Sequence, residues 1–275
     1  MFKIISKEEL TKDVSKIMVE APQIARKAKA GQFVVAIADE AGERIPLTLA
    51  DWDKDKGIIT LIFQKVGFTT RRLGALNIGD DIAHLLGPLG HPAKTANQGA
   101  VICIGGGVGI AEVYPVSRGF KEAGSRVIGI IGARSREQLI LEKEMQQVSA
   151  ELFVTTDDGS YGRKGFVTDT LKELLDVVEK STHTKYPELV YAVGPIVMMK
   201  AVSELTRGYN IKTIVSLNPI MVDATGMCGS CRCQVAGKTV FGCVDGPDFD
   251  AHQVDFDGLE ARLNLFKKQE GQLDQ

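Results

Sequence analysis

Four of the chain's five cysteines crowd into one short glycine-bearing stretch, Asp223-Ala-Thr-Gly-Met-Cys228-Gly-Ser-Cys231-Arg-Cys233, with Cys243 shortly after. Thiols at this density read as a metal-ligand set. The spacing C-x4-C-x2-C…C belongs to plant-type [2Fe–2S] clusters, and Cys228, Cys231 and Cys243 match it, with Asp223 where the first cysteine would stand. Such a cluster would be held by three thiolates and one carboxylate. Ferric iron needs anionic ligands, and a short loop supplies them only by curling tightly around the sulfurs, which Gly226 and Gly229 permit. Cys233 is the rival fourth ligand, although a C-x-C pair in an extended chain points to opposite faces. A four-cysteine zinc site is the competing metal reading, and reduced structural cysteines are the third. Cys103, inside the apolar run Ala100–Ile104, reads as a buried strand residue.

A second set of residues could bind phosphate. The run Ala100–Ile104 leads directly into Gly105-Gly106-Gly107-Val108-Gly109 and then a helical pattern. Glycines let a backbone approach a pyrophosphate, and a helix N-terminus offers free N–H groups with a favourable dipole. The strict G-x-G-x-x-G spacing is imperfect, because Ile110 stands at the third glycine position. Two further turns would lie at the same edge of a parallel sheet: Gly132-Ala-Arg134-Ser135 and Gly194-Pro195. Thr156-Asp157-Asp158-Gly159 closes another strand in the same way. Arg134 could meet a phosphate or ribose, and Asp158 joins the candidate nucleotide-binding residues. No acidic residue ends the second strand, so NAD and NADP both stay open. Nearer the N-terminus, Arg44, Pro46, Leu47 and Thr48 lie on neighbouring strand positions, and Gly67 and Thr70 open a short helical stretch with hydroxyl and backbone donors.

These residues need elements to hold them. Residues 1–97 carry short alternating or β-branched runs at Phe2–Ser6, Ser15–Glu20, Gln32–Ala38 and Gly57–Gln64, which predict an antiparallel β-barrel. Residues 98–216 alternate apolar strands with amphipathic helices, predicting a doubly wound parallel sheet. The turn-rich stretch Gly87-Pro-Leu-Gly-His-Pro92 marks the boundary. Residues 217–275, the cysteine stretch and a polar acidic tail, predict a small metal-dependent unit. The fold class is thus β plus α/β with a small C-terminal cluster segment.

Composition limits the partners. The 33 basic and 35 acidic residues are spread along 275 positions for a net charge of −2, which leaves no electrostatic footprint for nucleic acid or an anionic membrane. The first residues lack the apolar core of a signal peptide, and no apolar run is long enough for a bilayer. The odd, clustered cysteine count fits a reducing compartment. A cytoplasmic location is the expectation.

Taken together, Arg44-x-Pro46-Leu47-Thr48, Gly67-x-x-Thr70, the Gly87–Gly90 barrel end, Gly105–Gly109 and Gly194-Pro195 resemble the ferredoxin–NADP reductase superfamily over nearly the whole chain. The order flavin barrel, nucleotide domain, terminal [2Fe–2S] segment resembles the electron-transfer subunits of dihydroorotate dehydrogenase and their relatives. Asp223 makes the segment similar to the small subunit of NADH-dependent ferredoxin:NADP oxidoreductase, where the resemblance implies an aspartate ligand. It further implies FAD held by Arg44, Pro46, Leu47, Thr48, Gly67 and Thr70, and NAD(H) or NADP(H) over Gly105, Gly106, Gly107 and Gly109. No side-chain acid or base is required. A larger flavin and [4Fe–4S] subunit would be the heterodimeric partner, with ferredoxin reached through the complex. The alternatives are an electron-transfer subunit of dihydroorotate dehydrogenase or a hydrogenase diaphorase, and a zinc-stabilised nucleotide-binding regulatory module.

Overall fold

The computed structural model describes residues 2–39, 42–180 and 187–265; the end of the polar tail, 266–275, lies outside them. The chain divides into two compact units. The first holds residues 1–93, 217–247 and 254–275, and the second holds 94–216 and 248–253.

In the first unit β1 (Phe2–Glu9), β2 (Val14–Glu20), α1 (Pro22–Lys27), β3 (Phe33–Ile37), β4 (Ile45–Asp53), β5 (Ile58–Gln64), α2 (Phe68–Ala75), β6 (Asp81–Ile82) and β7 (His84–Leu89) follow one another. The strands form one antiparallel sheet in the order β6-β1-β2-β5-β4-β3-β7. Alternation sends Ile17 and Val19, Leu47 and Leu49, and Ile59, Leu61 and Phe63 into a single core with Ile4, Val34, Ile82 and Leu85. Every strand thereby contributes one face to the same interior, which makes the sheet a half-barrel. β7 contains Gly87 and Pro88, residues that read as a turn. It is a terminal strand of the sheet, where a proline's missing N–H leaves no ladder bond broken.

The second unit alternates as the sequence predicts: β8 (Ala100–Gly106), α3 (Ile110–Glu122), β9 (Arg126–Ala133), α4 (Glu142–Val148), β10 (Glu151–Thr156), β11 (Arg163–Lys164), α5 (Val167–Lys180), β12 (Leu189–Val193), α6 (Ile196–Gly208) and β13 (Thr213–Ser216). α4 begins only at Glu142, because Leu141 just before it adopts a left-handed φ of 54°. The remaining elements are β14 (Arg232–Val235), β15 (Lys238–Phe241), β16 (Asp248–Asp250) and α7 (Phe256–Leu263). β14 and β15 make a separate hairpin, while β16 pairs antiparallel with β13 and completes the order β11-β10-β9-β8-β12-β13-β16. β8, β9, β10, β12 and β13 run parallel. Their carboxyl ends therefore lie along one edge, where ligands of open α/β sheets bind. No described helix is long and apolar enough to cross a membrane.

Candidate functional site

The cysteine loop winds through left-handed residues at Ala224 (φ 59°), Gly226 (87°) and Gly229 (68°). Asp223 closes it from within: its carboxylate accepts the N–H of Thr225 at 2.8 Å and of Cys228 at 2.7 Å. These bonds, that from Thr225 first, hold the acid below its ordinary pKa, so it is anionic at neutral pH. The exposed Cys228 thiol is lowered by its contacts with Ser230, whose Oγ lies 3.1 Å from the sulfur. Cys231 and Cys243 bring their sulfurs to 3.2 Å. Both are buried in a patch with Phe33, Val35 and Ala224. Burial and the neighbouring thiol push Cys243 upward, a cost that a bound cation would relieve.

The donors thus form two pairs, Asp223 with Cys228 and Cys231 with Cys243. Metal–sulfur bonds of about 2.3 Å place two sulfurs on one tetrahedral metal about 3.8 Å apart, so the Cys231 and Cys243 sulfurs, at 3.2 Å, would part by about 0.6 Å to share one. Two pairs fit a two-iron cluster. Cys233 sits in β14 opposite Val240, outside the Cys231–Cys243 patch. Its thiol is pushed up to about 11 by burial, and it donates only a long bond to the Cys231 carbonyl, at 3.5 Å. Ser230 and Arg262, which donates to the Ser230 carbonyl at 2.9 Å, escaped sequence reading. Ser230 was legible as a hydroxyl inside the C-x-x-C.

In the second unit the glycine turn is shaped by close backbone approach. A Cβ on Gly109 would lie 2.6 Å from the Val193 carbonyl oxygen and 2.9 Å from the Gly194 Cα. One on Gly106 would collide with Met198 Sδ and lie 3.2 Å from Pro195 Cδ. Gly107 takes a φ of 55°, and a Cβ on Gly105 would strike Ile110. Gly106 and Gly109 therefore meet the Gly194-Pro195 turn directly, at the N-terminus of α3, while Gly105 packs on Ile110. Arg134 follows β9 and is exposed. Asp158 is joined to that loop through its N–H, which donates to the Arg134 carbonyl at 3.2 Å. Its carboxylate accepts both the N–H and the hydroxyl of Ser160, and those bonds lower its pKa. The guanidinium of Arg136 lies 5.0 Å above the Tyr161 ring in the same loop cluster.

In the half-barrel, β4 and β5 are antiparallel neighbours, Leu49 facing Leu61. The beginning of β4 and the end of β5 consequently share one end of the sheet, and β5 runs into Gly67. Pro46 and Thr48 alternate with Leu47, which is buried in the core; Arg44 is exposed just before the strand. The Thr70 hydroxyl accepts from the N–H of Val66 at 3.1 Å and of Gly67 at 3.0 Å, and donates to the Gly67 carbonyl. It fixes the turn that opens α2, whose first N–H groups have no partners within the helix. Nothing stands within 4 Å of where a Gly67 Cβ would be. The arrangement fits a pyrophosphate: donors at a helix start, and space before them.

Comparison with known proteins agrees with this geometry. Residues 218–255 match the model of the iron–sulfur cluster binding domain of dihydroorotate dehydrogenase B, and residues 103–204 match the oxidoreductase NAD-binding domain. An uncharacterised Clostridium beijerinckii protein is 46% identical over 98% of this chain and 92% of its own. The Thermotoga maritima homologue of the dihydroorotate dehydrogenase B (NAD(+)) electron transfer subunit is 43% identical over 97% of this chain and 92% of its own. A chain of the NADH-dependent reduced ferredoxin–NADP oxidoreductase, a structure concerned with flavin-based electron bifurcation, superposes with a TM-score of 0.92 at 40% identity, covering 100% of this chain and 96% of its own.

Proposed function

The chain belongs to the family of dihydroorotate dehydrogenase B electron transfer subunits and their homologues, on a ferredoxin–NADP reductase-like fold, and from that premise we propose that it passes electrons between NAD(P)H, FAD and a [2Fe–2S] cluster. The observation that carries this is the cysteine loop, with its two donor pairs and an anionic Asp223 in the place of a fourth thiolate. When bound, the FAD would take a hydride from the nicotinamide and release electrons singly to the cluster, a conversion that belongs to the cofactors.

The chain's own residues bind and orient. The start of α2 supplies N–H donors to the FAD pyrophosphate, with Thr70 keeping the turn in shape, and Arg44, Pro46, Leu47 and Thr48 line the start of the neighbouring β4. The N–H groups at the start of α3 and the side-chain-free backbone of Gly106, Gly107 and Gly109 receive the dinucleotide phosphates. Asp223, Cys228, Cys231 and Cys243 hold the cluster. No group on this path has to donate or remove a proton.

The larger setting is a heterodimer with a bigger flavin and [4Fe–4S] subunit, in which the pair carries out electron bifurcation to ferredoxin and NADP. Likeness to the bifurcating oxidoreductase chain supports that partner; the relatives named for dihydroorotate dehydrogenase B support a dihydroorotate-oxidising partner as the second reading. The test is affinity isolation of the native chain under anaerobic conditions, with iron, acid-labile sulfide, FAD and the co-purifying subunit determined together. FAD with two irons and two sulfides per chain is the expected result. A flavin-free chain carrying one zinc would overturn the reading, and the partner's cofactors separate the two settings.

A further inference from the structure

Phe68 is the first residue of α2, and it keeps half of its surface in solvent. Its neighbour Val66 is also exposed, so the turn at Gly67 presents two apolar side chains around an open space. The ring is not loose. The Arg72 guanidinium lies 5.2 Å from its centroid. That guanidinium is itself pinned by Asp39, whose Oδ2 accepts Nε at 2.7 Å and pairs with NH2 at 2.6 Å. A planar cation held by a carboxylate covers one face of an aromatic ring one residue beyond a phosphate-shaped turn. Such a cation polarises the ring and fixes its tilt, at no gain in burial for Phe68. An exposed, oriented ring beside an anion site is the arrangement by which proteins hold nucleobases.

Resting on the FAD reading, we propose that Phe68, backed by Arg72 and Asp39, is the shelf on which the adenine of FAD stacks, and that it sets the preference of this chain for FAD over FMN. FMN and FAD share the isoalloxazine, the ribityl chain and the first phosphate, and differ by the adenylate half. A residue touching only the adenine therefore changes the affinity of one and not of the other. Stacking on an aromatic side chain is worth about 1–3 kcal/mol by alanine substitution, which corresponds to about five- to 150-fold in affinity.

The test is flavin binding by the full-length chain after removal of its flavin, followed through flavin fluorescence for FAD and for FMN in parallel. Phe68→Ala is expected to weaken FAD binding about tenfold or more, leave FMN within twofold, and leave the thermal unfolding curve in place because the ring is exposed. Phe68→Trp is expected to restore FAD binding. Equal weakening of both flavins, or of neither, would overturn the shelf while leaving the FAD reading intact. Failure of the wild-type chain to take up FAD at all would overturn both.

Discussion

Asp223 does two things with one carboxylate. It accepts the N–H groups of Thr225 and Cys228, and it stands where a thiolate would complete the cluster. Ligand identity and hydrogen bonding to the sulfurs set an iron–sulfur potential, so Asp223→Cys is expected to retain a [2Fe–2S] cluster with an altered reduction potential and altered electron paramagnetic resonance line shape. An unaltered spectrum would shift the ligand to Cys233. The complementary pair is Cys243→Ser, expected to lose most of its bound iron, and Cys233→Ser, expected to keep it, with iron assayed per chain. The cysteine spacing was legible because it is local. The division into pairs was not, since Cys231 meets Cys243 only after the β14–β15 hairpin folds the chain back, as the Gly242 N–H to Cys231 carbonyl bond at 3.0 Å records.

The elements around the nucleotide turn are set by clearances that a side chain would destroy. Gly109 has an ordinary helical backbone, φ −60°, and its glycine is required by contact rather than by conformation. Gly109→Ala would press a methyl against the Val193 carbonyl, costing about 1–3 kcal/mol in denaturant unfolding and weakening nucleotide binding in parallel. Unchanged stability would mean that the β12–α6 turn yields. The glycine run was readable; its meeting with Gly194-Pro195 follows from the adjacency of β8 and β12, which no local pattern encodes.

β16 adds a different dependence. Asp248 accepts from the buried Tyr191 hydroxyl at 2.9 Å. Burial first, then the like charge of Glu112 on α3, raise its carboxyl to about 8, against the pull of Tyr191 and Ser216. In the unfolded chain the acid ionises near 3.8. Between those two values the folded state binds more protons than the unfolded one, so this group's contribution to stability falls as pH rises through that window. Asp248→Asn is accordingly expected to gain stability relative to the wild type as pH is raised from about 4 to about 8, by urea unfolding at several pH values. A pH-independent difference would contradict the buried, protonated acid. Asp248 reads in sequence as one more acid of a polar tail, because its environment is made by strands far away along the chain.

At the scale of the molecule, the cysteine segment shares the first unit with the half-barrel. Cys231 and Cys243 pack on Phe33 and Val35 of β3, and the Leu217 N–H donates to the Pro247 carbonyl at 2.9 Å. Binding free energy at such a site is also folding free energy. Removing the iron with a chelator is expected to speed amide exchange in β3, β7 and the β14–β15 hairpin while β8, β9 and β12 keep their protection; uniform loss across both units would contradict that division. The alternation of residues 98–216 made the second unit legible from sequence. The return of residues 248–253 to its sheet was hidden, since a three-residue strand has too short a pattern to read.

The most direct test of the electron-transfer role is low-temperature electron paramagnetic resonance of the anaerobically purified full-length protein, before and after reduction, with FAD quantified in the same sample. A [2Fe–2S] signal that grows on reduction, from a sample containing bound FAD, is the expected result. A silent, flavin-free and zinc-containing sample would contradict it.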